Sequence, residues 1–268
     1  MRRPTSAARF ASARQHRPLE MRSQELLYGL SHPWPTFRAV NDTIRGGKST
    51  SSLVVSPTSN LATFTGELDI TALGGAGFAS QSTTFDPTRL SLPRHSYSGL
   101  SLTIVLPHTL RDSRKEKCDP VQPHKFVVVL KNTKPATRPD GRRESVLSYE
   151  FEFDVDHLVE HEWFQDDKQR RVQVDAVWEQ FVATYRGRPK QDAEPLDPAS
   201  IYELSFMCRS SFGYQAGPFA LDIVSVSAIR QQQRTSLERI WTRVMAWFSS
   251  LRSWVTGRST ADGTARLA

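Results

Sequence analysis

The sequence predicts an all-β protein, one jelly-roll β-sandwich of antiparallel strands with a C-terminal amphipathic helix. Three observations predict it. Apolar and polar residues alternate with period two in many short segments of the middle of the chain. Pro, Gly and Asp-Gly turn signals separate those segments. No strand-to-helix alternation appears, which argues against a parallel α/β sheet. At 268 residues, 38% hydrophobic and 24% charged, the chain can bury a large core, which excludes a disordered protein. No stretch approaches the roughly 20 consecutive apolar residues of a bilayer-spanning helix.

Residues 1–31 read as a basic segment, with Arg2, Arg3, Arg9, Arg14 and Arg17 and no acid before Glu20. Arg-rich, Ser-containing, acid-poor composition is that of a mitochondrial transit peptide, drawn inward by a negative-inside potential. Residues 32–230 carry the sandwich. Ala62, Phe64, Gly66, Leu68 and Ile70 alternate with Thr63, Thr65, Glu67 and Asp69. Leu147, Tyr149, Phe151, Phe153 and Val155 alternate with Ser148, Glu150, Glu152 and Asp154, the clearest half-buried strand. Further strands are expected at 100–106, 126–130, 172–177, 202–208 and 219–229, with turns at Pro93, Pro107, Asp140-Gly141, Arg186-Gly187 and Gly217-Pro218. Residues 107–125 and 132–144 read as loop insertions.

Residues 231–257 are expected to form the amphipathic helix. On a helical wheel the apolar residues from Leu237 to Val255, including Trp241, Trp247, Phe248 and Trp254, fall within an arc of about 140°. Ser236 precedes them as a possible N-cap and Gly257 stops them. Tryptophans flanked by arginines suit a membrane–water interface or a partner surface. Residues 258–268 read as a disordered tail.

The net charge of +7 belongs to the ends. Six Arg against two Glu give the first 31 residues +4, and seven Arg against Glu238 and Asp262 give residues 228–268 +5, leaving the middle at −2. A nucleic-acid binder needs its positive charge on the folded surface, so that class is excluded. Two cysteines, Cys118 and Cys208, exclude a disulfide scaffold and read as free thiols.

Several motifs hint at chemistry. Gly46-Gly47-Lys48-Ser49 ends like a phosphate-binding loop, but Asp42 stands where the first glycine belongs and Ser51–Val55 leads into a strand instead of a helix. Gly74-Gly75-Ala76-Gly77 lacks dinucleotide-binding spacing and reads as a tight turn into a strand. His157-Leu158-Val159-Glu160-His161 matches an H-x-x-E-H zinc-protease arrangement, with His95, His108 and His124 as distant histidines. It follows a strand amid Asp154, Asp156, Glu162, Asp166 and Asp167 and reads as an acidic solvated loop. No catalytic residue, cofactor or metal site is assigned, and no enzyme is expected.

The run Trp34…Asn41-Asp42-Thr43-Ile44-Arg45-Gly46-Gly47-Lys48-Ser49 resembles the opening signature of the complex I intermediate-associated protein 30 family, a tryptophan before an "NDxxxGGxS" segment. Ala62–Gly66, Gly74–Ser80, Tyr97–Leu100, Trp178–Phe181, Tyr185–Gly187 and Gly217–Ile223 follow in the family's order, so the likeness spans about 34–229. The wording from Gly66 to Gln81 looks like the fungal branch. The resemblance implies a galactose-binding-like β-sandwich that assists assembly of mitochondrial NADH:ubiquinone oxidoreductase, chaperone-like, on the matrix side of the inner membrane. Its partners would be complex I assembly intermediates or other protein clients, with peripheral membrane contact.

Arg45, Gly46, Gly47, Gly75, Gly77, Phe78, Arg186 and Arg209 are the candidate partner-binding rim, each also open to reading as turn geometry or a buried ion pair. The competing class is a carbohydrate- or protein-binding module unconnected with complex I, for which Trp163, Trp178 or Tyr214 would be the aromatic platform. A metal-dependent hydrolase around His157 and His161 is the third class.

Overall fold

Strands whose apolar residues share one face can bury it only against another layer. The computed structural model describes residues 23–106, 121–139, 143–161 and 170–231, and in it two antiparallel sheets face each other across such a core. In chain order the strands are β1 (Gln24–Gly29), β2 (Arg38–Ala39), β3 (Thr50–Val55), β4 (Ala62–Leu68), β5 (Phe78–Thr84), β6 (Tyr97–Val105) and β7 (Lys125–Lys131). β8 (Ser148–Asp154), helix α1 (Val155–His161), β9 (Arg171–Val177), β10 (Val182–Tyr185), β11 (Arg188–Pro189), β12 (Glu203–Arg209) and β13 (Gly217–Arg230) complete them. One sheet runs β3-β4-β13-β6-β9, with β1 also on β13; the other runs β11-β10-β8-β7-β12-β5-β2.

β13 is the spine of the first sheet. Its first half pairs with β4, its second half with β1, and β6 lies along the other edge from Asp222 to Arg230. The register shifts between Ile223 and Ser225. Phe219, Leu221 and Ile223 enter the core before that bulge, and Val226 and Ala228 after it, so the inward parity changes from odd to even. A single period could not describe this strand.

The core lies between Phe64, Leu102, Ile104 and Leu221 of the first sheet and Phe126, Val128, Leu204 and Phe206 of the second. Phe126 crosses the interface: its ring centroid lies 6.3 Å from Phe64, 6.1 Å from Phe219 and 6.1 Å from Phe153. Trp178 is buried and donates its indole N–H to the Tyr97 carbonyl at 2.9 Å. Trp34 does the same with the Asn60 carbonyl at 2.9 Å and stacks on Tyr28, whose hydroxyl is pushed up to about 12 by burial.

The structure corrects the sequence reading at several points. β1 falls inside the segment read as a basic leader, so Gln24–Gly29 belongs to the sandwich. On β8, Glu150 lies on the polar face yet is buried, because Thr184 and Arg209 cover it with hydrogen bonds. His157–His161 is helical and not a loop, since Val155–His161 forms α1. Arg186 (φ 53°) and Gly187 (φ 74°) turn β10 into β11, the positive-φ pair a tight hairpin requires. Cys208 is buried, with its Sγ 3.9 Å from the Lys125 carbonyl oxygen. Cys118, Trp163 and the helix read over Leu237–Val255 lie outside the described residues. Among the described residues no helix is long and apolar enough to cross a membrane.

Removing the Phe126 ring leaves a void bounded by both sheets. Phe126→Ala is expected to lower the unfolding free energy by about 3–5 kcal/mol. Urea denaturation checks this through a lower midpoint at an unchanged slope.

Candidate functional site

The loops between β2 and β3, β4 and β5, and β12 and β13 meet at one end of the sandwich. A buried carboxylate organises them. Asp42, 1% exposed, opens a short 3₁₀ turn, Asp42–Arg45. Its Oδ1 accepts the Ser49 N–H at 3.0 Å; its Oδ2 accepts the Ser49 hydroxyl at 2.7 Å and the Phe78 N–H at 3.0 Å. Ser49 leads into β3 of one sheet and Phe78 opens β5 of the other, so one side chain ties both sheets together. Asn41 repeats the device: its Oδ1 accepts the Ser51 hydroxyl at 2.7 Å and the Ser80 N–H at 3.0 Å.

The glycines leave room for this carboxylate. A Cβ on Gly47 would lie 2.2 Å from Asp42 Cγ, and one on Gly77 would lie 2.3 Å from the Asp69 carbonyl oxygen and 3.2 Å from Asp42 Oδ2. The glycine in each case admits a neighbour and not a ligand. The Asp69 carboxyl is held below its usual range by the Thr71 hydroxyl, against some burial, with help from the Thr71 and Ala72 N–H groups and Lys48.

The loop after β12 is locked by two buried polar side chains. Ser210 Oγ donates to the Gly75 carbonyl at 2.7 Å and accepts the Gly77 N–H at 2.9 Å. Gln215 Oε1 accepts the N–H groups of His124 and Lys125, and its Nε2 donates to the carbonyls of Lys125 and Arg209. Between them Ser211 (φ 47°), Phe212 (φ 61°) and Gly213 (φ 85°) are all left-handed. This costly backbone holds Phe212 out at 87% exposure. Leu73 in the adjoining loop is likewise left-handed (φ 53°) and 41% exposed, and Ile44 is 60% exposed.

Six of the eight expected rim residues gather here. Arg45 lies over the Phe78 ring at 5.9 Å, and Gly46, Gly47, Gly75 and Gly77 shape the loops beside them. Arg209 pairs with Phe78 in the β-ladder, but its guanidinium is spent internally, 2.6 Å from Glu150 and 2.7 Å from Glu152. Burial works against that charge, yet the Glu152 and Glu150 carboxylates outweigh it and hold Arg209 above its usual range. Arg186 does not join the rim: it sits over Tyr185 in the β10–β11 hairpin, at the opposite edge of the seven-stranded sheet. Ser210, Phe212 and Gln215 went unrecognised. Their signal is weak, an aromatic residue beside a glycine in Ser211-Phe212-Gly213-Tyr214. Of the aromatic platforms considered, Trp178 is withdrawn into the core, while Tyr214 is half exposed.

The family model for the complex I intermediate-associated protein 30 (CIA30) matches residues 27–105 and 136–223, well over half of the chain. The chain belongs to this family. The Asp42–Ser49 node, the Gly74–Gly77 turn and the Ser210–Gln215 loop all fall within the matched residues. An uncharacterised protein of Schizosaccharomyces pombe is 32% identical over 209 residues, covering 76% of this chain and 83% of that protein. A family 11 carbohydrate-binding module of a Clostridium thermocellum cellulosomal cellulase aligns at a TM-score of 0.46 and 8% identity, over 80% of this chain and 98% of the module. A complex of such a module with a mixed-linked tetrasaccharide aligns at 0.45 and 10%, over 77% and 95%.

Asp42→Asn keeps the shape but turns an N–H₂ toward donors that need an acceptor. The substitution is expected to destabilise the domain by about 2–4 kcal/mol, and Gly47→Ala by a comparable amount through steric displacement of the carboxylate. Thermal unfolding of both variants, with exposed Thr43→Ala as a control, measures this.

Proposed function

We propose that the chain is a non-catalytic assembly factor that holds intermediates of mitochondrial NADH:ubiquinone oxidoreductase through the glycine-loop end of a galactose-binding-like jelly roll. The observation that carries this reading is the pre-ordered apolar tip. Phe212, Leu73 and Ile44 stand exposed on loops whose polar groups are satisfied internally. An exposed phenyl held by strained backbone costs stability, and a partner's apolar surface recovers that cost. Because the loops are already fixed, binding loses little conformational entropy. An apolar segment of a membrane-arm subunit is the chemistry that fits, with Arg45 and Lys48 at the border favouring an acidic flank.

In this reading the ends decide location. The basic first residues direct the chain to the mitochondrial matrix, and the aromatic helix expected over Leu237–Val255 holds the domain at the inner membrane by peripheral contact. Tethering raises the local concentration of the tip near membrane-inserted clients.

The test is affinity capture of the full chain from purified mitochondria. The wild type is expected to retain complex I intermediates. Phe212→Ser with Leu73→Ser should lose them at least tenfold, with the melting temperature unchanged because both side chains are exposed. Equal capture by the double variant, or loss only with Arg186→Ala, contradicts the reading.

A further inference from the structure

We propose that the β10–β11 hairpin is a membrane contact in which Arg186, Arg188 and Lys190 bind an anionic phospholipid surface. This contact rests on the reading of a membrane-associated assembly factor, but it does not depend on the apolar tip.

The hairpin gathers like charges. Tyr185 pairs with Arg188 across it, and Lys190, two residues on, shares their face. Arg186 lies in the left-handed turn at φ 53°. The Arg186 guanidinium carbon is 5.4 Å from the Tyr185 ring centroid and Lys190 Nζ is 5.9 Å from it, so both cations crowd one ring that is 40% exposed. All three cations are exposed, and among the described residues none makes an ion pair or a side-chain hydrogen bond. Asp192 and Glu194, exposed on the chain that follows, leave them unpaired. Like charges held this close repel, and a field of phosphates offsets the repulsion. Exposed side chains with no fixed partner suit the fluid charge of headgroups over one defined acidic peptide. A tyrosine ring among cations is at home at the headgroup level.

The place of the hairpin in the fold points the same way. Thr184, the residue before Tyr185, pairs with Ser148 at the start of β8, whereas Asp154 at the end of β8 pairs with Lys125 beside the Gln215 clamp. The hairpin therefore projects from the end of the seven-stranded sheet opposite the glycine loops. The last described residue leaves near its stems: the Gln231 N–H donates to the Ser96 carbonyl at 2.7 Å. In the same loop Arg94 donates to Glu179, before β10, at 2.9 Å and to the Leu196 carbonyl, beyond β11, at 3.1 Å. Residues 232–268 continue from there with six Arg against Glu238 and Asp262, and with Trp241, Trp247 and Trp254. A lipid contact by that stretch and one by the hairpin would reinforce each other, since each raises the local concentration of the other at the surface. Phe212 stands at the other end, so tip and hairpin can be occupied together.

The full chain is floated with vesicles of phosphatidylcholine alone and of an equal mixture of phosphatidylcholine and phosphatidylglycerol. The combined variant Arg186→Asn, Arg188→Gln, Lys190→Gln should bind the anionic vesicles about 10–100-fold more weakly than the wild type at low salt; asparagine is chosen because it tolerates the left-handed turn. The difference should shrink as salt screens it, and neutral vesicles should not tell the two chains apart. Arg186→Lys with Arg188→Lys keeps the charge and should stay within about threefold of the wild type. Melting temperatures should not move, because the substituted side chains are exposed. Phe212→Ser with Leu73→Ser should partition like the wild type, so failure of the hairpin and failure of the tip are told apart. The proposal is overturned by equal binding of the neutralised variant to anionic vesicles, by a loss that salt does not change, or by loss in the charge-keeping variant. It is also overturned if a soluble polyglutamate peptide binds through the hairpin while vesicle binding is the same in all variants.

Discussion

A carboxylate buried to 1% exposure destabilises a fold unless donors fill its oxygens, and Asp42 is filled from both sheets at once. That constraint explains why its neighbours are small. Gly47 and Gly77 stand where any Cβ would collide with the carboxylate or the Asp69 carbonyl, and Ser49 supplies both its N–H and its hydroxyl. The glycine-rich wording that looks like a phosphate cradle is therefore the negative image of an aspartate. The segment binds its own chain.

From this node order spreads outward. The Phe78 N–H held by Asp42 begins β5, the Gly77 N–H and carbonyl engage Ser210, and Ser210 with Gln215 fixes the loop that lifts Phe212 into solvent. Each step is a hydrogen bond made within the chain, so the polar groups of the tip loops are satisfied without a partner. The Gln215 side chain also clamps the start of β7, which sets the position of the His124 ring. The apolar tip and the start of β7 thus share one anchor.

Much of the fold was legible because apolar and polar residues alternate along β4, β6, β9 and β12, and because β7 is a continuous apolar run, Phe126–Leu130, buried on both faces; all five lie within a residue or a few of where the sequence puts them. β13 was legible in extent but not in phase, because its bulge switches which parity faces inward. β1 was hidden by its arginine-rich surroundings, and β2 and β11, at two residues each, are too short to carry a period. In the site, the motif residues stood out but their role did not. Nothing in Asn41-Asp42 announces that the side chains point inward, and pairwise arrangements such as Arg209 with Glu150 and Glu152 exist only once β12 and β8 flank β7. Phe212 and Gln215 left only the weak trace of aromatic residues beside Gly213, because a strained turn is set by the residues that hold it and not by the residue it displays.

The central claim is that this domain works by contact, through the loop end that Asp42 organises. Site-specific photo-cross-linking tests it most directly, with a benzophenone side chain at position 212 and, separately, at position 186, in mitochondria assembling complex I. The account predicts adducts with a complex I subunit from position 212 and none from position 186. Adducts from position 186 alone, or none from position 212 while the protein is folded and present, would contradict it.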